Sequence, residues 1–414
     1  MRRHFAVAGL SVFALLPLAA GAHYIDTLPA RPSIALSRNG VRLAEAVSPK
    51  QLKITLLAQL AAFNAHTVSG HLDKNGRDRL KAWVWTYLSR AAIRTYHLTH
   101  DPRLIEAVLL GFEKFVAEAH AHDSTGGFGW YTRDSKENAS YQEVPVTGLI
   151  IAPIVDMIML AETDSDLATI IQRRRDDLLR TVELSVAHFD ARYLEQDGLG
   201  FFLDHNGVDV LPLNLSSVYA RPLLGLWKLT GNRDYGRKAA GIARTWKAAL
   251  DVSAGGVTWP YTPQPGDPKF RTGVRERMIK AAAGIEFPLA AYRAGLVLTA
   301  EDIKTIAGIP YTTLLQQIDS EHVNLRRYID SGSQDYFEPG TRDGQHMLEL
   351  AAWYSYACAD ENLKPMLDSI LFGLDRKFYL HNHLATMAFA ERLTAAQDPK
   401  GCQIDIRPGL QAAH

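Results

Sequence analysis

Cysteine is nearly absent from this sequence, which contains only Cys358 and Cys402 among its 414 residues. Two thiols are too few for a cysteine-based metal site. They leave two alternatives open. Either both remain separate thiols, or they form a disulfide that fixes the C-terminal tail, which an oxidising compartment permits.

The chain also has no formal net charge, because its 45 Lys and Arg residues balance its 45 Asp and Glu residues. A neutral chain has no overall attraction for nucleic acid or for an anionic membrane. We therefore expect no nucleic-acid partner. A local basic cleft that receives an acidic sugar is compatible with this balance.

Long apolar runs and several enzyme motifs are missing after the N-terminus. No later segment has 18 uninterrupted apolar residues, so we expect no membrane span in the mature protein. A phosphate-binding loop and a G-x-S-x-G motif are both absent. The pairs His120/His122 and His381/His383 place imidazoles two residues apart, and on a helix such side chains diverge. We predict no cofactor and no metal.

The N-terminus has the layout of a secretory signal. Arg2 and Arg3 precede an apolar run, and Ala20-Gly21-Ala22 supplies a cleavage site. Paired arginines also permit a twin-arginine signal. We predict a signal peptide at 1–22, an extension at 23–48, a main domain at 49–397 and a tail at 398–414, in an exported, periplasmic or secreted protein.

A repeat is present in the rest of the chain. Short stops such as Leu229-Thr-Gly-Asn-Arg recur at Leu98, Leu160, Leu298 and Ala357, about 60 to 70 residues apart, which is typical of repeat architectures. Gly231 suits a left-handed helix end, and the Asp and Asn residues suit the next N-cap. We predict helices at 49–67, 78–98, 101–120, 143–161, 164–188, 215–230, 232–249, 276–297, 300–318, 343–358, 361–374 and 380–396.

Twelve paired helices predict an all-α fold, an (α/α)6 toroid of six helical hairpins in which the first and last helices close the ring. An open solenoid is the alternative, but solenoids have polar capping helices, and these terminal helices are as apolar as the others. Long loops at 121–142, 189–214, 250–275 and 319–342 then share one rim. Glycine–aromatic stretches occur in them, and we expect short β segments there.

The loop aromatics suggest a sugar-binding rim, because aromatic side chains cover the apolar faces of sugar rings. The alternative is that each ring packs the loop onto the core. The aromatic candidates are Trp130, Tyr131, Phe201, Phe202, Trp259, Tyr261, Tyr336 and Phe337.

The hairpin LLGLWKLTGNRDY at 223–235 and the loops GGFGWY and GGVTWPY resemble (α/α)-toroid glycan-active proteins. The likeness is closest to the helical C-terminal domain of D-glucuronyl C5-epimerases, followed by helical-toroid polysaccharide lyases, and it spans roughly residues 80–373. The resemblance implies an acidic, uronate-containing polysaccharide or oligosaccharide as partner.

Uronate epimerases and lyases both begin by removing the C5 proton beside the carboxylate, which requires a base and groups that stabilise the developing charge. Arginine and tyrosine residues accompany the long loops and suit this chemistry. We predict proton-transfer roles for Tyr141, Tyr219, His346 and Glu143. The predicted substrate-binding residues are Trp130, Tyr131, Arg133, Asn138, Asn214, Arg221, Trp259, Tyr261, Arg277, Tyr336 and Arg342.

Two other functions fit the same loops. A glycoside hydrolase needs a pair of carboxylic acids that flank the scissile bond. Candidates for that pair are Asp134, Glu143, Glu286, Glu338 and Asp343. The second alternative is a noncatalytic glycan-binding or scaffold protein of the cell envelope.

Overall fold

A computed structural model describes residues 47–67, 78–121, 126–134, 139–253, 256–268, 275–317, 323–329, 335–337, 344–372 and 383–395. At 66–67, 78–80, 120–121, 131–134, 139–142, 316–317, 323–324, 344–346 and 372 it describes the backbone alone. The predicted signal peptide, the extension up to 46 and the tail from 398 lie outside these residues. The domain boundaries and export therefore stay predictions.

Helices dominate the described chain. They are α1 Pro49–Thr67, α2 Asp78–Thr99, α3 Pro102–Ala117, α4 Val144–Ala161, α5 Ser165–Ile171, α6 Arg175–Ala187, α7 Leu213–Thr230, α8 Arg233–Ala249, α9 Met278–Gly284, α10 Glu286–Arg293, α11 Ala300–Ile309, α12 Leu363–Phe372 and α13 His383–Ala395. A 3-10 helix spans Gly344–Tyr356, a 3-10 turn spans Asp190–Arg192, and a π turn spans Pro310–Leu314.

The inner helices form a closed ring. In the described part of the chain, α2, α4, α7, α9 with α10, the Gly344–Tyr356 helix and α13 each pack on the next, and α13 packs back on α2. The helices α1, α3, α5 with α6, α8, α11 and α12 lie outside them. The predicted (α/α)6 toroid is confirmed. The last helix closes the ring from inside, while α1 packs against α2, α3 and α13.

The two layers differ in their apolar pattern. Outer helix α8 buries one face through Tyr235, Ala239, Ile242 and Trp246, at helical spacing. Inner helix α4, by contrast, is buried on nearly all sides. Among the described helices, only α4 is long and apolar enough to cross a membrane, and 83% of it is buried inside the ring. Its composition is that of a core helix.

The predicted stops are present as short connections between inner and outer helices. Gly231 ends α7 with a φ of 72°, and the Asn232 side chain caps α8 by accepting from the N–H of Asp234 at 3.0 Å. Thr299 and Asp302 form a capping box at α11. We call this face of the ring the stop end and the opposite face the rim end.

Four predicted helices are less regular than expected. The segment 300–318 is α-helical only to Ile309 and continues as the π turn and a short strand. The segment 164–188 divides into α5 and α6 around 172–174, and 276–297 divides at Ile285 into α9 and α10. The segment 343–358 forms a 3-10 helix instead of an α-helix. Cys358, which follows it, takes part in a disulfide, which favours the second of the two alternatives for the cysteines, and Cys402 lies outside the described residues.

Each long rim loop contains a short antiparallel hairpin. The strands are β1 His120–Ala121, β2 Phe128–Gly129, β3 Tyr131–Asp134, β4 Ala139–Gln142, β5 Tyr193–Gln196, β6 Leu199–Phe202, β7 Asp251–Ser253, β8 Gly256–Thr258, β9 Leu315–Gln317 and β10 Val323–Leu325. The β5–β6 turn uses Asp197 and Gly198, both with positive φ, as a two-residue type I′ hairpin requires. The predicted β segments are confirmed.

Most of the described loop aromatics pack inward and do not face a sugar-binding rim, whereas Tyr261 and Tyr336 are half-buried. Trp130 is buried, and its indole N–H donates to the carbonyl of Phe115 at 2.7 Å. Trp259 is buried against Trp246, with ring centroids 5.0 Å apart. Phe201, Phe202 and Phe337 are buried as well. Burial of these large rings stabilises the loops on the outer helices, so the glycines serve the turns and the aromatics serve the core.

Candidate active site

A layer of charged side chains crosses the ring axis at mid-height. We call it the axial charge layer. It consists of Arg90, Arg94, Asp156, Arg221, Glu286 and Glu391. These residues come from α2, α4, α7, α10 and α13, so the layer ties most of the inner ring together. The inner helices are otherwise apolar around these residues. An unpaired charge would be strongly unfavourable there, so the acids and the arginines bind one another.

Glu391 and Glu286 each bind more than one guanidinium group. Arg90 Nη2 donates to Glu391 Oε1 at 2.9 Å and also pairs with Glu286. Arg94 lies 2.8 Å from Glu391 Oε1 through Nε and 3.3 Å from Glu286 Oε1 through Nη2. On the other side of the axis, Arg221 pairs with both Asp156 and Glu286.

The pKa values of the acids in this layer are shifted in opposite directions. Burial raises the pKa of Glu286, but Arg221, Arg90 and Arg94 outweigh burial and lower it to about 2. In Asp156, burial is the larger effect and raises the pKa, although Arg221 opposes it. Burial likewise raises the pKa of Glu391. Glu286 is therefore locked in its ionised form and cannot serve as a general acid.

Cavities lie on both sides of the layer. At the stop end, a cavity of about 220 Å³ reaches Arg94, Asp156, Arg221 and Ser355. Toward the rim end, a narrow cavity of about 20 Å³ lies between Trp83, Thr86, Tyr87, Arg90, Leu149, Ala152, Val218, Arg221 and Ala283. Its volume suffices for roughly one water molecule. Arg90 and Arg221 thus form the floor of the rim-end cavity.

Groups that can transfer protons meet beside this floor. The Tyr87 hydroxyl, from α2, donates to Glu349 Oε2 of the Gly344–Tyr356 helix at 3.2 Å. The Tyr87 ring stacks on the imidazole of His383 in α13, with centroids 5.9 Å apart and planes 18° apart. Trp83, one helical turn before Tyr87, packs on it at 6.1 Å. We call Tyr87, Glu349 and His383 the rim-end triad.

Tyr87 stays protonated in this setting. Burial and the neighbouring carboxylate of Glu349 both raise its pKa well above the usual value for tyrosine. The phenol can therefore act as a proton donor or hydrogen-bond donor at neutral pH, but not as a base. Glu349 and the imidazole of His383 supply the groups that can accept a proton.

A second polar group lies where α7 and α9 begin, also at the rim end. Asn214 is buried, and among the described residues neither of its amide atoms has a hydrogen-bond partner. Lys280 Nζ donates to the hydroxyl of Tyr261 at 2.6 Å. Glu276 is fully buried, and burial raises its pKa well above the usual value although Lys280 opposes this. Arg277 lies over the Tyr328 ring.

The predicted substrate-binding residues divide into separate groups. Asn214, Tyr261 and Arg277 belong to rim-end segments, whereas Arg221 lies in the axial charge layer. Tyr336 is half-buried beneath Arg326, and Trp130 and Trp259 are core residues. Asn138 and Arg342 lie outside the described residues. So do the side chains of Tyr131 and Arg133, whose backbones belong to strand β3.

The predicted proton-transfer residues do not come together among the described side chains. Tyr219 is buried between the two helical layers, and its hydroxyl donates to the carbonyl of Val186 in α6 at 3.0 Å. This is a packing position, so we assign Tyr219 no role in the site. Glu143 is buried at the start of α4. The side chains of Tyr141 and His346 lie outside the description.

Sequence reasoning missed Tyr87, Arg90, Glu349, His383 and Glu391. A signal for them exists, because each lies within an apolar stretch that becomes an inner helix, such as HMLELAAW around Glu349. Ionisable residues in fully buried helices are uncommon and concentrate at functional sites. The glycine–aromatic pattern predicted a site on the long loops, whereas the described proton-transfer groups lie on the inner helices.

One further group could hold a metal ion. Among the described residues, ligand atoms of His100, Asp164 and Asp166 lie within 4.8 Å of one another. Asp164 already caps α5 by accepting from backbone N–H groups. Because the group is largely exposed and lies on the stops, at the opposite end of α2 from Tyr87, we assign it no part in the chemistry.

Three solved structures are similar to this chain. The crystal structure of a D-mannose isomerase is 14% identical, with a TM-score of 0.52 over 85% of this chain and 100% of that chain. An unsaturated glucuronyl hydrolase from Streptococcus agalactiae is 10% identical, with a TM-score of 0.46 over 91% of this chain and 98% of that chain. An unsaturated glucuronyl hydrolase from Bacillus sp. GL1 is 14% identical, with a TM-score of 0.42 over 88% of each chain. The likeness to the isomerase shows the toroid fold. The sequence matches no protein-family model and no curated protein.

Proposed function

We propose that this protein is a carbohydrate-active enzyme that transfers a proton at a sugar carbon next to a carboxylate or carbonyl group. One observation carries the proposal. The rim-end triad of Tyr87, Glu349 and His383 gathers proton donors and acceptors from separate inner helices beside the rim-end cavity. A reaction of this type needs a base near the proton and a hydrogen-bond or proton donor for the oxygen that gains negative charge.

The triad divides these tasks by protonation state. Tyr87 keeps its proton and can donate it, or a hydrogen bond, to the oxygen that becomes enolate-like. His383 or Glu349 can accept the carbon-bound proton, since an imidazole nitrogen and a carboxylate oxygen are both proton acceptors. The guanidinium groups of Arg90 and Arg221 line the same cavity, but both are already paired with acids of the axial charge layer.

Positive residues at the same end favour an acidic sugar. Arg275, Arg277 and Lys280 come just before and within the first turn of α9, and all are half-buried. Such groups bind and neutralise a uronate carboxylate. We therefore propose removal of the C5 proton of a uronate residue in a polysaccharide or oligosaccharide, followed by epimerisation or elimination. The likeness to a D-mannose isomerase adds a neutral aldose as the second substrate to test, because aldose isomerisation also moves a proton beside a carbonyl.

A carboxylate-pair hydrolase receives less support. Of the acids that could form the pair, Glu286 is bound by the arginines of the axial charge layer and has a pKa near 2. It cannot protonate a leaving group. The side chains of Asp134, Glu338 and Asp343 lie outside the described residues. We also propose that the protein is exported through the signal at 1–22 and acts on glycans outside the cytoplasm.

Solvent-isotope labelling tests the proposed function. The purified protein is incubated in D2O with uronate oligosaccharides, with uronate polysaccharides and with neutral aldoses, and products are followed by NMR and ultraviolet absorbance. Deuterium at C5 without cleavage indicates epimerisation, an unsaturated product indicates elimination, and a ketose product with deuterium at C1 indicates aldose isomerisation. New reducing ends without deuterium or unsaturation would contradict proton transfer at carbon and favour the hydrolase.

A further inference from the structure

Two neighbouring stops bring together a histidine and two aspartates that can bind a metal ion. His100 follows the last turn of α2, and Asp164 and Asp166 lie at the start of α5. Ligand atoms of the three side chains lie within 4.8 Å of one another, and His100 Nδ1 lies 4.0 Å from Asp164 Oδ2. The group therefore joins the first two hairpins of the ring at the stop end.

The two aspartates keep oxygen atoms for a cation. Asp164 caps α5 with Oδ1, which accepts from the N–H groups of Asp166 and Leu167 at 3.1 and 2.9 Å, while Oδ2 faces His100. Asp166 is exposed. In the described part of the chain, neither aspartate forms an ion pair with a lysine or an arginine.

The charges and helix ends around the group do not oppose a cation. The basic side chains of Arg103 and Lys53 both bind Asp101, at 2.6 and 2.8 Å. The positive N-termini of α3 and α5 are capped by Asp101 and Asp164. The C-termini of α2 and α4 end at the same two stops, and helix C-termini carry a partial negative charge.

A buried hydroxyl gives an independent indication of a ligand. Tyr96 is fully buried, and none of the described residues forms a hydrogen bond of normal geometry with its hydroxyl. Burial, followed by the charges of Asp164 and Asp166, raises the pKa of Tyr96 to about 12, so both carboxylates face this hydroxyl. Its ring meets the imidazole of His100 edge-on, with centroids 5.7 Å apart. A buried hydroxyl without a partner is unfavourable unless water or a ligand completes its bonding.

The backbone of His100 is unusual for a histidine. Its N–H donates to the carbonyl of Tyr96 at 2.7 Å, and its φ is 49°. At the corresponding place after α7, Gly231 donates to Trp227 with a φ of 72°. Glycine is favoured in this left-handed conformation because it has no Cβ. The imidazole is thus kept at a position where glycine would be less strained.

One imidazole nitrogen and two carboxylate oxygens suit a transition-metal ion better than Ca²⁺ or Mg²⁺, which prefer oxygen ligands alone. In a tetrahedral Zn²⁺ site the ligand atoms are about 3.4 Å apart, and the exposed side chains of His100 and Asp166 can turn to reach that separation. We propose that His100, Asp164 and Asp166 bind a divalent transition-metal ion such as Zn²⁺, and that Tyr96 donates a hydrogen bond to an oxygen bound to the ion.

Calorimetric titration of the metal-free protein with ZnCl2 tests this site. His100→Gly removes the imidazole but suits the left-handed turn, so it should fold normally and lose Zn²⁺ affinity at the tightest site by at least about a hundredfold. Tyr96→Phe should lose about tenfold, as expected for a partner of a metal-bound oxygen. The control His205→Gln removes an imidazole that lies 3.1 Å from a single carboxylate, that of Asp204, and should stay within about twofold.

Thermal melting adds a second readout. Because the ion binds the folded site, Zn²⁺ should raise the melting temperature of the unaltered protein and of His205→Gln, but not that of His100→Gly. No Zn²⁺ binding, equal affinity in His100→Gly and the unaltered protein, or tighter binding of Ca²⁺ than of Zn²⁺ would overturn the proposal. The isotope-labelling result does not depend on this outcome, because the group lies at the opposite end of α2 from Tyr87.

Discussion

The two ends of the ring axis share one scaffold but present different chemistry. On the rim side of the axial charge layer lie Tyr87, Glu349 and His383, which are groups able to exchange protons. On the stop side lie the fixed charges of Lys228 and Arg293 around a wider cavity. Proton-transfer catalysis requires groups that change protonation state, and the arginines and acids around the wider cavity are held in ion pairs instead. The difference favours the rim end as the place of the proposed proton transfer.

The layer that separates the two ends should dominate stability. Arg90→Met leaves Glu286 and Glu391 buried with fewer cations, so we expect the free energy of unfolding to fall by about 3–5 kcal/mol. The control Arg174→Met breaks an exposed pair with Glu113, in which both side chains are 53% exposed, and should cost about 0–1 kcal/mol. Urea unfolding measures both. Equal losses would mean that the layer is no more important than a surface pair.

Removing one hydroxyl should distinguish the rim end from the rest of the ring. Tyr87→Phe deletes the proposed proton donor and keeps the ring on His383, so we expect kcat to fall about 10²–10⁴-fold. Tyr235→Phe is the matched control, because it deletes a hydroxyl that contacts Glu183 on the outer layer at 3.4 Å. Initial rates of deuterium incorporation compare them. A similar rate in both proteins would remove Tyr87 from the mechanism.

Two buried glutamates, ten residues apart in the chain, should respond to pH with opposite signs. Glu276, at the rim end, has a raised pKa, so above about pH 4.5 the unfolded chain loses this proton while the folded chain keeps it. Its contribution to stability therefore falls as pH rises. Glu276→Gln cannot ionise, and its melting temperature should increase relative to the unaltered protein between pH 4 and pH 8.

Glu286, in the axial charge layer, should show the reverse. Its pKa is lowered to about 2, so its contribution is fully present above about pH 4.5 and is lost as pH falls toward 2. Glu286→Gln should therefore be destabilised at neutral pH and approach the unaltered protein near pH 2. Melting curves across pH measure both substitutions. Parallel pH profiles would contradict the different environments of the two acids.

The smallest effects concern how closely the inner helices pack. A Cβ at Gly225 of α7 would lie 2.2 Å from Val155 Cγ1 of α4, so Gly225→Ala should destabilise by about 1–3 kcal/mol. At Gly308 of outer helix α11 a Cβ meets no atom within 4 Å, and Gly308→Ala should stabilise by about 0.5–1 kcal/mol. Chemical denaturation compares them, and a stabilising Gly225→Ala would show that the inner helices are not in close contact.

The fold was predictable because its signals are local. Caps such as Asn232, the left-handed Gly231 and helical periodicity depend on neighbouring residues, and the repeat of stops revealed the ring. The site was not, because Tyr87, Glu349 and His383 come from distant helices and meet only through ring closure. The burial of the loop aromatics could not be predicted for a related reason. A sequence shows that Trp259 lies in a loop, but only packing shows that Trp246 covers it.

The most direct test of the central claim is deuterium incorporation from D2O into a uronate oligosaccharide, measured by NMR for the unaltered protein and for Tyr87→Phe. We predict deuterium at C5, or an unsaturated product, for the unaltered chain and a loss of at least about a hundredfold in rate for the variant. Sugar turnover with no deuterium at carbon and no unsaturation, or an undiminished rate in Tyr87→Phe, would contradict proton transfer at the rim end.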